Sequence, residues 1–305
     1  MQKNNIDLIG VPSNLGCKDN GVNKGPDYLR SFDIVKKLKT CGLNLNDLGN
    51  TISFNRDNLK IKNQKEKYAN EIELISQDLK TKIEQSLTNG NKILTLGGDH
   101  SLVIGSIGAA VAYQTKNKKS LGIIWVDAHP DLNNSSSTIS GFIHGMGLQK
   151  NIENYPSSIK KENIILIGLK DVDPFENEFI KSNNMKAFFI RDILLDGFKP
   201  IFKEISELKN QVDNIWISFD LDSIDKDFAP GVGMPNKGGL TYREATNLAT
   251  FLGSEFKDIL MGVDIAEYNP DNDQDNKTAE LALELTAYLF NKEYSDYINY
   301  LKNVI

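Results

Sequence analysis

The sequence predicts an α/β fold: a mostly parallel sheet of about eight strands with helices on both faces. Eight short apolar runs alternate with longer amphipathic stretches, the pattern of strands joined by helical crossovers. Several of these runs are apolar throughout, as in strands buried on both faces. Motifs rich in histidine and aspartate follow four of the runs directly, which is where open α/β sheets gather their sites.

In chain order the strands are expected at Ile6–Val11, Leu43–Leu48, Lys92–Leu96, Gly122–Val126, Asn163–Gly168, Ala187–Ile190, Asn214–Phe219 and Ile259–Ile265. Gly25-Pro26 puts proline in the first turn of a helix that Gly42 stops after Cys41. A second helix runs from about Gln64 to Leu87, with Asn89-Gly90 as its C-cap. Thr241, followed three residues later by Glu244, opens another through a capping box. No repeat, low-complexity tract or linker divides the 305 residues, so residues 1–305 read as a single domain.

Composition narrows the function classes. A hydrophobic fraction of 40% with 25% charged residues is ordinary for a globular protein with a substantial core. The net charge of −6, with lysines scattered among acids, gives no footprint for nucleic acid. Cys17 and Cys41 are too few for a disulfide framework and lack metal-ligand spacing. The opening apolar run is too short for a signal sequence, and no segment approaches the ~20 apolar residues of a membrane span. A cytoplasmic protein is expected, with no nucleic-acid or membrane partner.

The chemistry concentrates in a few motifs. The chain has only three histidines, all within 45 residues, in Gly-Gly-Asp-His-Ser (97–101), Asp-Ala-His-Pro-Asp-Leu-Asn (127–133) and Ser-Gly-Phe-Ile-His-Gly (140–145). Ser-Phe-Asp-Leu-Asp (218–222) adds two carboxylates after an apolar run. Imidazole with carboxylate is a ligand set for manganese, iron, zinc or nickel. On an extended segment Asp127, His129 and Asp131 would share one face. Six ligand candidates emerge: His100, Asp127, His129, Asp131, Asp220 and Asp222. Singly, each reads as well as a hydrogen-bonded core residue. Together they are too many for one tetrahedral ion and suit two ions with bridging carboxylates. Two metals roughly 3.5–4 Å apart can share a water, lower its pKa and present it as hydroxide.

These motifs, with His-Gly (144–145), Ala-Pro-Gly (229–231) and Glu-Tyr-Asn-Pro (267–270), closely resemble those of the arginase/agmatinase superfamily, the ureohydrolases, and its arginase branch in particular. The resemblance covers essentially the whole chain. It implies an arginase-like fold and two Mn²⁺ per chain. His100 and Asp131 would belong to one ion, His129 and Asp222 to the other, with Asp127 and Asp220 bridging. It further implies His144 as the proton-shuttling histidine and Glu267 as the acid that binds the substrate guanidinium, which a carboxylate does by accepting two parallel N–H bonds. A metal-bridging hydroxide would attack the guanidinium carbon, with Asp131 helping to stabilise the tetrahedral intermediate. L-arginine would yield L-ornithine and urea.

At the substrate's far end, Asn133 and Ser140 match positions that hydrogen-bond the α-carboxylate, and Asp173 and Glu176 match acids that contact the α-amino group. Each alone reads equally as a turn residue. Two positions depart from the arginase pattern: Phe142 stands where an asparagine is usual and Met234 where a threonine is usual. Hydrolysis of agmatine or a guanidino acid therefore stays open beside arginine, and a catalytically silent metal-binding subunit is the reading from another class. Relatives are usually homotrimers or homohexamers, which the resemblance carries over. Tyr294–Ile305 is amphipathic and suits packing on the chain's own core or on a neighbour.

Overall fold

The structure is a computed structural model that describes residues 5–295. Eight parallel strands form one sheet: β1 (Asn5–Val11), β2 (Asn44–Asn50), β3 (Lys92–Gly97), β4 (Leu121–Val126), β5 (Ile164–Leu169), β6 (Lys186–Phe189), β7 (Asn214–Asp220) and β8 (Leu260–Ala266). Their order is β2-β1-β3-β8-β7-β4-β5-β6. All eight expected strands are present, with ends shifted by a residue or two.

Among the described residues there are ten α-helices, nine in the crossovers and the last after β8: α1 (Gly25–Ser31), α2 (Ile34–Thr40), α3 (Ala69–Thr88), α4 (Val103–Lys116), α5 (Gly147–Asn154), α6 (Pro174–Ser182), α7 (Ile190–Asp196), α8 (Lys199–Lys209), α9 (Tyr242–Phe256) and α10 (Lys277–Leu289). None is long and apolar enough to cross a membrane. They cover both faces of the sheet. One core cluster joins Ile124 and Val126 of β4 with Leu38 of α2, Ile205 of α8 and Leu285 of α10. The other joins Ile123 and Trp125 with Leu79 of α3, Ile107 of α4 and Ile180 of α6. The apolar runs hide an alternation: successive residues feed opposite cores, and both cores exclude water.

Two helices depart from the expectation. The helix read from Gly25 to Cys41 is two, because Asp33 takes φ 62 and breaks the path between α1 and α2. Leu29 of α1 and Ile34 of α2, on either side of the break, are buried in the same core. The helix expected from Gln64 starts at Ala69, after Tyr68 at φ 55. Residues 64–67 are drawn off to another partner, the loop around Gly141, where the Lys67 amide donates to the Gly141 carbonyl at 2.9 Å. Asn89 caps α3 as read, and Thr241 and Glu244 form the expected capping box of α9. Residues 296–305 of the amphipathic C-terminal piece lie outside the described residues, whereas Tyr294 packs against the core.

The close approach of α9 and α10 rests on Gly253. A Cβ there would fall 1.8 Å from the Tyr288 carbonyl oxygen. Helix propensity alone favours Gly253→Ala by about 1 kcal/mol, but overpacking against backbone costs about 1–3 kcal/mol or more. The variant is expected to unfold at lower urea concentration than wild type with an unchanged denaturant slope. An unchanged or higher midpoint would refute the packing argument.

Candidate metal centre and substrate cavity

Four adjacent strands deliver the site. β3, β8, β7 and β4 stand side by side at the middle of the sheet. Their carboxyl ends lead into His100, Glu267, Asp220–Asp222 and Asp127 respectively.

His100 Nδ1 lies 3.0 Å from Asp127 Oδ2, 3.2 Å from Asp131 Oδ2 and 3.1 Å from Asp220 Oδ2. His129 Nδ1 lies 3.3 Å from Asp127 Oδ1 and 3.3 Å from Asp222 Oδ2. All six ligand candidates therefore meet. Two donor groups result, His100–Asp127–Asp220 and Asp127–His129–Asp222. Asp127 belongs to both, and its two oxygens face different histidines. Asp131 joins the first group through His100, and Asp220, whose Oδ2 faces His100, accepts the Asp222 amide at Oδ1 at 2.8 Å.

The pleat of an extended strand does not cause this convergence. β4 stops at Val126, and the His129 amide turns back to donate to Asp127 Oδ1 at 2.7 Å. Asp131 then adopts φ 50, in the left-handed region. Glu267 does likewise at φ 64. Such a backbone costs roughly 1 kcal/mol or more per non-glycine residue and persists where the surroundings hold it. Glu267 is held at both ends: its amide donates to the Gly98 carbonyl at 2.9 Å, and its Oε1 accepts from the His100 amide at 2.9 Å.

The charges are crowded and dry. Burial raises the Asp127 carboxyl, but His100 and His129 beside it outweigh this and hold it below the usual carboxylate range. Asp222 is pushed well up by burial and by neighbouring Asp220, and Asp131 is raised by burial and Asp127. Burial lowers His144, yet Glu267, 3.4 Å from its Nδ1, more than compensates and holds it at about 9. Burial pushes Glu267 up to about 7 against the opposing pull of His144.

Residues beyond the ligand candidates set their orientation. His100 Nε2 pairs with Ser218 Oγ at 2.9 Å, which suits a tautomer that leaves Nδ1 free of hydrogen and facing the carboxylates. Trp125 stacks on the His100 ring at 4.3 Å between centroids and donates its indole N–H to the His129 carbonyl at 3.1 Å. Asp99 accepts from the Ser101 and Gly16 amides and the Ser13 hydroxyl, tying the loop after β1 to the site. The sequence reading gave these residues no role. For Ser218 the signal was there, since it precedes Asp220 by two on one strand and shares its face. Trp125 reads as one more apolar residue in its run.

His100 Nδ1, Asp127 Oδ2 and Asp222 Oδ1 are buried without a hydrogen-bond partner. Unpartnered acceptors beside four close carboxylates are costly unless a cation satisfies them. Hard oxygens and imidazole nitrogens together suit a divalent transition metal. The residues fit a pair of such ions, one at each donor group.

Beside this cluster opens a cavity of about 490 Å³. His129, Asp131 and Asp222 form its floor, with His144, Asn133, Ser140, Asp173 and Glu176 around it. Glu267 lies beneath, 3% exposed. The Asn133 amide donates to Asp173 Oδ2 at 2.9 Å while its carbonyl accepts from Ser137 at 2.8 Å. Ser140 is exposed at the rim, and its hydroxyl accepts from the Phe142 amide. Glu176 is buried and bridges the Leu132 and Asp173 amides, fixing the aspartate loop to the start of α6. Phe142, Met234 and Asp171 complete the wall. A larger cleft of about 930 Å³ near Asn14 and Arg56 contains no histidine, and its acids, Asp27, Asp57 and Asp271, are exposed.

Comparison with known proteins agrees with this geometry. The arginase family model matches residues 4–291. An arginase of Staphylococcus aureus is 37% identical over 301 residues, covering 95% of this chain and 98% of the other. The solved arginase of Bacillus caldovelox superposes with a TM-score of 0.87 at 32% identity, over 95% of this chain and 99% of the other. An Entamoeba histolytica arginase solved in complex with L-ornithine gives 0.85 at 28% identity, over 95% and 99%. With two histidine–carboxylate donor groups at the sheet's carboxyl edge and this likeness along its length, the chain belongs to the arginase family.

Proposed function

We propose that the protein hydrolyses the guanidinium group of L-arginine to L-ornithine and urea, using two manganese ions. The observation that carries this reading is the Asp127 carboxylate, whose oxygens face two different histidine groups at the floor of a cavity. The names of its relatives, and the ornithine bound to one of them, support arginine as substrate.

His100, Asp127, Asp131 and Asp220 would hold one ion and Asp127, His129 and Asp222 the other, with Asp220 as a second bridge. Bound there, the pair would activate water at neutral pH and stabilise developing negative charge. The chain's own groups do the rest. Glu267 orients the guanidinium, whose carbon is a poor electrophile while its charge is spread over three nitrogens. Fixing it converts a bimolecular encounter into a positioned one. Asp131 accepts a hydrogen bond as the carbon becomes tetrahedral. His144, partly exposed and 3.4 Å from Glu267, delivers a proton to the departing amine and recovers one from solvent. Water and the guanidinium are thereby consumed, and urea and an amine released.

At the far end, Asn133 and Ser140 receive the carboxylate, and Asp173 and Glu176 the amino group. A second reading, hydrolysis of agmatine or another guanidino compound, is favoured by Phe142, which offers the carboxylate no side-chain donor. Urea release from arginine, agmatine and 4-guanidinobutyrate after manganese loading separates the two. The same reading carries assembly into homotrimers or homohexamers, a single catalytic domain and a cytoplasmic location.

Prolonged chelation is expected to abolish urea release, and added manganese to restore most of it. Elemental analysis should find about two metal equivalents per chain in wild type and about one in His100→Ala or His129→Ala. Full activity without any transition metal would sink the dimetal reading. Glu267→Gln removes the anionic partner of the guanidinium, and kcat/KM should fall by about a hundredfold or more with both metals retained. His144→Asn should lower chiefly kcat, by about a hundredfold. Near-wild-type rates in both variants would overturn the two assignments.

A further inference from the structure

Among the described residues, no lysine or arginine lines the cavity. Its charged side chains beside the metal cluster are acids, Asp171, Asp173 and Glu176 among them. The neutral donors are few: the Asn133 amide gives one of its two N–H bonds to Asp173, and the Phe142 side chain has none to give. A substrate carboxylate entering here meets like charge.

Cations stand just outside, on one short segment. Lys65 Nζ donates to the Thr138 carbonyl at 2.8 Å, and Lys67 Nζ donates to the Ser140 carbonyl at 2.7 Å. Thr138, Ser140 and Phe142 belong to the loop that lines the cavity mouth. The Lys67 ammonium also lies 4.0 Å from the centroid of the Phe142 ring, a cation–π contact. The arrangement is locked through backbone. The Lys67 amide donates to the Gly141 carbonyl, and Gly141, at φ 72, has the Gln64 carbonyl where a Cβ would sit 1.8 Å away. Only glycine meets both demands. An ammonium has three donors, and one carbonyl acceptor leaves others for an anion.

We propose that Lys67, seconded by Lys65, recognises the carboxylate of the substrate and makes the enzyme selective for guanidino acids over guanidino amines. The lysine takes over at the rim what Phe142 cannot supply. It also repels the terminal ammonium of agmatine, so one charge both attracts the correct substrate and disfavours the competitor. This proposal rests on the guanidinium hydrolysis set out above and names the feature by which that site selects.

The test is Lys67→Gln in the manganese-loaded enzyme, which removes charge while keeping a donor for the Ser140 carbonyl. KM for arginine and for 4-guanidinobutyrate should rise about fivefold, the worth of one partly exposed charge pair, with kcat within about twofold. KM for agmatine should stay or fall, and Lys67→Arg should restore the wild-type pattern. Salt should weaken arginine binding by wild type more than by Lys67→Gln. Equal KM increases for all three substrates, or a loss confined to kcat, would mark Lys67 as a structural clamp on the rim and overturn the proposal, as would no change. Calorimetry with L-ornithine and putrescine keeps the two ideas apart. Should wild type release urea from none of the three substrates, the hydrolase reading fails. Weaker ornithine binding and unchanged putrescine binding in Lys67→Gln would still uphold carboxylate recognition. Ornithine binding that ignores the substitution, or that is absent from wild type, would overturn it.

Discussion

The site depends on one carboxylate. Asp127 sits at the end of a central strand with one oxygen 3.0 Å from His100 and the other 3.3 Å from His129. The two histidines come from different loops, and Asp127 is the group both donor sets share. Its position is not negotiable, because β4 is hydrogen-bonded on both sides, to β7 and to β5, and is buried throughout. The surrounding apolar packing therefore fixes a polar geometry. The cost is concentrated like charge in a dry place, which the raised Asp131 and Asp222 register. That cost is what gives such a cluster affinity for divalent cations.

Two of the nine left-handed non-glycine residues among those described lie at the candidate site. Asp131 and Glu267, the acids proposed to act on the guanidinium, both take the left-handed region, at φ 50 and 64. Asp131 lies five residues beyond β4 and Glu267 one beyond β8, where a chain leaving the sheet would ordinarily continue outward. The reversed φ turns Asp131 in toward His100 and Glu267 back beneath His144. Hydrogen bonds from main chain hold each turn: Gln149 donates to the Asp131 carbonyl at 3.1 Å, and the Glu267 amide donates to Gly98. Neither a free loop nor a regular strand would aim these side chains so.

Much of this was legible in the sequence, and the failures have physical causes. Short apolar runs identified all eight strands; in the central ones burial on both faces suppresses polar alternation, whereas the edge strand β2 alternates and is mostly exposed. Motifs at their carboxyl ends marked the site, but strand order was not readable. That β3, β8, β7 and β4 are neighbours follows from crossovers that skip positions, and no local pattern encodes it. Asp127, His129 and Asp131 were read as sharing a strand face, whereas a turn and a left-handed residue bring them together. Local propensity placed a helix start near Gln64; tertiary bonding to the Gly141 loop overrode it. Asp33 broke another helix that nothing in its sequence interrupts, since aspartate tolerates the left-handed conformation without announcing it.

That override at Gln64 ties fold to specificity. Had α3 begun where its sequence allows, Lys65 and Lys67 would lie on a helical first turn, their amides directed along its axis. Unwound, the segment instead hands its Lys67 amide to Gly141 and two ammoniums to the carbonyls of Thr138 and Ser140. The rim loop and the segment thus stabilise one another, and neither contributes to the metal cluster. The reacting end is built at the ends of rigid central strands. The discriminating end is built on two mutually braced loops, where a change such as phenylalanine at 142 alters the donors on offer without disturbing the sheet. Separation of this kind lets selectivity drift while the hydrolytic centre stays fixed.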